Sequence, residues 1–188
     1  SKIDWFKDAD VRTLWLQKLP KSLKKFLPAL RALAFSRLNL SEYDLVISSS
    51  GAEAKGIKTG LNTTHICYMH SPTHYYWIRQ KEYIENPGFP IGLNWIARIG
   101  FRILEKPLKQ WDKMAAKRPD YIVTNSSYSK DNIKRIYKRD SVVIHPPVDT
   151  ERFSGPEPES RHGLVIAGRQ TPYKRFDLAI KACNVLKI

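Results

Sequence analysis

The chain's 188 residues, 42% of them apolar and including five Trp, nine Tyr and seven Phe, suffice to bury a core, which excludes a disordered segment. The longest apolar runs, such as Leu45-Val46-Ile47 and Leu164-Val165-Ile166-Ala167, fall far short of the roughly 20 residues a membrane-spanning helix needs, and the polar start lacks the apolar block of a secretory leader. A formal charge of +14 favours polyanionic partners, whether nucleic acid, anionic lipid or phosphate-bearing substrates, and does not choose among them.

The first periodic stretch covers residues 21–38, where Phe26, Leu27, Leu30, Leu33 and Ala34 make one apolar face at helical spacing. Pro28 sits inside it and favours a regular helix that begins there. A strand is predicted at residues 45–48, ahead of a Ser-Ser-Ser-Gly turn, and another at 65–69 that His70-Ser71-Pro72-Thr73 breaks. His74, Tyr75, Tyr76 and Trp77 open a polar-aromatic segment that runs to the turn Asn86-Pro87-Gly88.

From residue 91 to 117 the period is helical again, with Trp95, Ile96, Ile99, Ile103, Leu104, Leu108, Trp111 and Ala115 predicted on one side and a kink or division at Pro107. On the same helix Arg98, Arg102, Lys106, Lys109, Lys113 and Lys117 recur every three or four residues as one cationic stripe. Lys21, Lys24, Lys25 and Arg31 form a second basic cluster. Either a solvated face or attraction to anionic lipid headgroups accounts for such a pattern. A strand at 121–124, a polar turn Asn125-Ser126-Ser127 suited to a helix N-cap, a helix to about residue 138 and a strand at 142–144 ending at Pro146-Pro147 complete this part.

Strands alternating with helices define an α/β fold with a parallel, doubly wound sheet. Residues 154–161, rich in Pro, Gly and Glu, read as a linker between a first domain at 1–153 and the start of a second at 162–188. The second begins with a predicted strand at 164–167 and a helix from about Arg175 onward, too little to close a sheet, so a truncated domain is expected. Cys67 and Cys183 lie far apart in no metal-like spacing and are expected as reduced thiols, which places the protein in the cytoplasm. The lone Asp-x-Asp, Asp8-Ala9-Asp10, reads as surface.

The loop after residue 167 stands at the carboxyl end of a predicted strand and opens a helix, where α/β sheets bind ligands. Gly168 permits close backbone approach to a phosphate, Arg169 grips phosphate oxygens bidentately, and Lys174 adds a point charge; an ordinary surface turn carries the same residue types.

Gly168-Arg169-x-x-Pro172-x-Lys174-Arg175-x-Asp177, continued by Leu178-Ala179-Ile180 and Ala182, resembles the donor-site opening of the retaining GT-B glycosyltransferase family 4. Tyr121-Ile122-Val123-Thr124-Asn125-Ser126 with Ile133 and Tyr137, and Val143-Ile144-His145-Pro146-Pro147-Val148-Asp149 with Phe153, are similar to the same family. Tyr43-Asp44-Leu45-Val46-Ile47-Ser48 with Gly56, then Cys67-Tyr68-Met69-His70-Ser71-Pro72 and Trp77, resembles its branch of bacterial mannosyltransferases of surface-polysaccharide assembly.

The resemblance implies a Rossmann-like first domain that binds the acceptor and a second that binds a nucleotide-sugar. It implies that Arg169 and Lys174, with Gly168, hold the donor diphosphate of a GDP- or UDP-sugar, without metal or cofactor, and that His70 contacts the sugar or acceptor near the reacting carbon, facing a cleft. Tyr75, Tyr76 and Trp77 suit an acceptor subsite by ring-on-sugar packing, or equally a core. Arg98, Arg102, Lys106, Lys109 and Lys113 would face an anionic membrane carrying a lipid-linked acceptor. The family's glycine-rich loop would precede Ser1 and its paired glutamates would follow Ile188, so this stretch by itself is expected to be inactive. The expected activity is transfer of a hexose, with mannose the first candidate, with retention, to a glycan or lipid-linked saccharide, by a cytoplasmic enzyme for which the inner face of the membrane is a candidate peripheral location, and with no nucleic-acid partner. A nucleotide-sugar epimerase of the same fold, or a basic non-catalytic module for nucleic acid or membrane, are the alternative readings.

Overall fold

The structure is a computed structural model, and it describes residues 7–20, 28–85, 94–155, 160, 163–168 and 174–186. The chain divides into two units, Ser1–Pro146 and Pro147–Ile188.

The first unit is built on a four-stranded parallel sheet in the order β1 (Leu45–Ser50), β2 (Thr64–Met69), β3 (Tyr121–Thr124) and β4 (Val142–Val143). Leu45 pairs with Thr64, Ile66 with Tyr121, and Val123 with Val142, so the carboxyl ends of all four strands lie along one edge. The expected α/β class with a parallel sheet is what forms, with β1 running two residues past the expected end at 48 because its serines continue the ladder.

Burial alternates strictly along the strands, as a pleated sheet with one packed face requires. Val46, Ser48, Ser50, His65, Cys67, Met69, Ile122 and Thr124 face inward. Leu45, Ile47, Tyr121, Val142 and Ile144 line the other face and are each more than half exposed. On the inward face the core joins Cys67, Met69 and Ile122 to Ala116 and to Ile133, Ile136 and Tyr137.

The helices of the first unit are α1 (Pro28–Arg37), α2 (His74–Trp77), α3 (Gln80–Glu85), α4 (Asn94–Ala115) and α5 (Ser127–Tyr137). Helix α1 is described from Pro28 onward; the expected stretch at 21–27 lies outside the described residues. Ser126 caps α5 by accepting from the Ser129 N–H at 3.2 Å, and Lys138 ends it in the left-handed conformation at φ 57°. Gly56 ends the 3₁₀ turn Glu53–Gly56 against α4, where a Cβ would come within 2.8 Å of the Trp111 ring. Trp111 in turn donates to Ser36 at 2.8 Å and ties α4 to α1.

Helix α4 departs from expectation twice. Pro107 does not divide it: one helix runs through the proline, and the carbonyl of Ile103 that loses its partner belongs to an exposed residue, where the loss is cheap. Its apolar residues also do not share one buried side: Leu108 and Ala115 are buried, whereas Trp95, Ile99 and Ile103 are exposed. At about 100° per residue, a stripe stepping by four drifts around the helix, so over 22 residues its first members, Trp95, Ile99 and Ile103, lie on the side opposite Leu108 and Ala115.

In the second unit the helices are α6 (Thr150–Phe153) and α7 (Phe176–Leu186). Asp149 caps α6 by accepting from the Arg152 N–H at 3.2 Å. No described residue from Pro147 onward is buried. The strand expected at 164–167 does not form: Leu164, Val165 and Ile166 are exposed, and a strand exists only where a neighbour supplies its ladder. Cys67 is buried in β2, Cys183 lies on α7, and both are free thiols.

Candidate functional site

The carboxyl edge of the parallel sheet gathers the side chains with the most exposed chemistry. His70 follows β2 directly. Its N–H donates to the Ser50 carbonyl at 2.9 Å, and its own carbonyl accepts from Ser129 Oγ at 2.9 Å. Three segments therefore fix its backbone, while the ring remains exposed. The imidazole stands edge-on to Tyr68 at 5.3 Å, and its Nε2 shares a hydrogen bond with Ser49 Oγ at 2.9 Å.

His145 occupies the same edge after β4. Its Nδ1 lies 3.1 Å from the Asn125 carbonyl, which only accepts, so Nδ1 carries the proton and Nε2 is left as acceptor in the neutral ring. Tyr68 OH donates to the Ile144 carbonyl at 3.0 Å and links the two strand ends. The spacing of His145 alone gave no reason to place it beside the His70 edge; only the strand order β2-β3-β4 does.

Directly behind the His70 turn lies a closed polar network that sequence reasoning missed. Asp112 of α4 accepts from Thr73 Oγ1 at 2.7 Å, Trp77 Nε1 at 2.7 Å and Tyr137 OH at 2.5 Å, and it pairs with Lys55 Nζ at 2.7 Å. Lys55 also donates to Thr73 Oγ1 at 3.0 Å and to the Ala52 carbonyl at 2.5 Å, with its ammonium 5.6 Å from the Tyr137 ring centre. A second knot sits alongside: Glu53 accepts from Arg31 at 3.1 Å and takes a short hydrogen bond from Tyr75 OH. The available signal was Asp112 itself, a carboxylate standing between Leu108 and Ala115 on the packed side of a basic helix.

These contacts say where the aromatic run goes. Tyr76 is 3% exposed, Tyr75 spends its hydroxyl on Glu53 and Arg31, and Trp77 packs against the core and spends its N–H on Asp112. Burial, then the charge of Glu53, pushes both the Tyr75 and Tyr76 hydroxyls far above their ordinary range. Burial and then Asp112 do the same to Tyr137. All three stay neutral; Tyr75 and Tyr137 donate to carboxylates, whereas the buried Tyr76 hydroxyl has no hydrogen-bond partner among the described residues.

Of the cationic stripe, Arg98, Arg102, Lys106, Lys113 and Lys117 are exposed. Lys109 turns away from it, half-buried, with its ammonium 2.7 Å from both Glu105 and Gln80 and over the Trp77 ring. In the other basic cluster, Arg31 is engaged by Glu53 and Tyr75, while Lys21, Lys24 and Lys25 lie outside the described residues.

In the second unit Gly168 has φ +149°, a conformation that L side chains rarely adopt, so glycine is required where the chain turns. Lys174 is exposed just before α7; Arg169 lies outside the described residues. Arg175, with φ 51°, forks onto Asp177 through two contacts of 3.0 Å, so its guanidinium is committed locally. Asp10, of the Asp-x-Asp pair, is bound to Arg12 at 2.8 Å. Among the described residues no group of three or more His, Cys, Asp or Glu is gathered to hold a metal ion, and no helix is long and apolar enough to cross a membrane. A cavity of about 280 Å³ opens between the Leu14–Gln17 segment and Arg31 and Phe35 of α1; His70 does not line it.

A parallel α/β sheet that presents side chains from its loops along the carboxyl edge is a Rossmann-like frame. The profile of Glycosyltransferase Family 4 matches residues 5–152, and the chain belongs to that family. Searches of curated proteins and of solved structures each found no match.

Proposed function

We propose that the whole enzyme transfers a hexose, with mannose the first candidate, from a GDP- or UDP-sugar to a glycan or lipid-linked saccharide, with retention of anomeric configuration. Family membership supplies the transferase class, and the placement of His70 carries the reading further. Its ring is exposed at the strand edge, its backbone is fixed on both sides, and Ser49 orients one nitrogen, so the other nitrogen meets a sugar hydroxyl or the reacting carbon's ring oxygen in a set direction.

Arg169 and Lys174 bind the donor diphosphate. As the bond from the anomeric carbon to the diphosphate breaks, negative charge gathers on the leaving group, and fixed cations there stabilise the transition state without a metal. Gly168 lets the backbone approach the phosphates. Two free thiols suit a reducing compartment, and we assign the enzyme to the cytoplasm.

A thermal-shift screen of the full-length protein against GDP, UDP and ADP tests the donor class. Stabilisation by one diphosphate at micromolar concentration, unchanged by EDTA, supports the reading. Indifference to all three, or stabilisation that EDTA abolishes and metal restores, removes it.

A further inference from the structure

The outward side of α4 is unusual for a helix packed on a sheet. Leu108, Asp112 and Ala115 point into the protein, so the opposite side should be polar. Instead Trp95, Ile99 and Ile103, at successive steps of four, are 62%, 48% and 69% exposed. Arg98, Arg102 and Lys106, also at steps of four and each exposed, run as a stripe along the flank of these apolar side chains. Arg98 donates to the Ile84 and Glu85 carbonyls, and Lys113 further along lies 5.2 Å from the Trp77 ring centre, so the outward charge of the stripe rests on Arg102 and Lys106. The acidic residues of α4 do not offset this charge: Glu105 is bound to Lys109, and Asp112 is buried with Lys55.

A row of apolar side chains bordered by cations, with no carboxylate left to face outward, is the arrangement of a helix that lies in a membrane interface. We propose that the outward face of α4 docks this protein on an anionic lipid surface, with Trp95, Ile99 and Ile103 entering the headgroup boundary and Arg102 and Lys106 meeting lipid phosphates. Charge complementarity favours this occupant. A second copy of a chain carrying +14 would bring like charges together along the stripe. The uncovered face of the sheet differs, because a parallel sheet demands a covering layer of protein. The proposal goes beyond the transferase reading and stands on separate observations, so neither depends on the other's success.

The test is co-sedimentation of the full-length protein with phosphatidylcholine vesicles, alone or containing phosphatidylglycerol, at low and high salt. Binding to the anionic vesicles alone is expected, weakened by salt through screening of the cations. Trp95→Ser/Ile99→Ser/Ile103→Ser should lower the partition coefficient by about tenfold or more, and Arg102→Glu/Lys106→Glu should remove the preference for anionic lipid. All five positions are exposed, so melting temperature should stay put, and Ile99→Ser alone serves if the triple variant does not fold. Equal binding to both vesicle types, or anionic binding untouched by the apolar substitutions, overturns the proposal. So does a dimer, or a complex with an acidic protein partner, that the same apolar substitutions dissociate in the absence of vesicle binding.

Discussion

Lys55 Nζ lies 2.7 Å from Asp112 Oδ1 with both side chains sealed from solvent, 1% and 0% exposed, joining the turn after β1 to the last turn of α4. Each oxygen of Asp112 has further donors in Thr73, Trp77 and Tyr137, so the desolvation of two charges is offset by a nearly complete set of hydrogen bonds. Asp112→Asn leaves an ammonium buried without its counter-charge, and a loss of about 3–5 kcal/mol in urea unfolding is expected. Lys55→Met should cost a similar amount, and the double variant less than the sum. A strictly additive cycle would mean that the two residues do not act as a pair.

His70 is exposed while its backbone is held, so removing its ring should spare the fold. His70→Ala in the full-length enzyme is expected to lower kcat on the order of 100-fold, with unfolding free energy within about 0.5 kcal/mol of the parent. Ser49→Ala, which releases the ring without deleting it, should have a smaller effect in the same direction. Parallel loss of kcat and stability in His70→Ala would make it a structural residue.

The two cations proposed for the donor site, Arg169 and Lys174, divide by chemistry. Lys174→Ala and Arg169→Ala should each raise the KM for the nucleotide-sugar and weaken nucleoside diphosphate binding by calorimetry. Arg169→Lys should not restore the parent value, because a bidentate fork is replaced by a point charge. Unchanged diphosphate affinity in both alanine variants would remove them from the donor site.

His65 gives the pH dependence. Burial lowers its pKa below the usual histidine value, with the nearby Asp120 partly opposing, and its Nδ1 has no hydrogen-bond partner. The folded state thus binds the proton less well than the unfolded chain. Stability should be level above pH about 6.5, the unfolded value, and fall as pH drops from there to the lower folded value. In His65→Gln that part of the slope should vanish in urea titrations between pH 5 and 7; a slope that persists would trace to other groups.

Much of the framework was legible because it is local. Apolar runs ended by Ser, Pro or Asn marked β1, β2 and β3, and Asn125-Ser126-Ser127 marked the cap of α5, since strand breaking and N-capping depend on a few adjacent residues. The strand at 164–167 was misread for the complementary reason: apolar pattern states a preference, while a ladder needs a neighbour.

What the amino-acid order determined by itself was the alternation of strands and helices, the family, and the presence of a basic helix and a histidine at a strand end. What only the tertiary structure decided was company. It placed Tyr75, Tyr76 and Trp77 against buried carboxylates, matched Lys55 with Asp112 across 57 positions of chain, and turned Trp95, Ile99 and Ile103 outward. Periodicity reports which side chains share a face of one element. It carries no information on whether protein, lipid or water lies opposite that face, because the answer depends on elements distant in the chain.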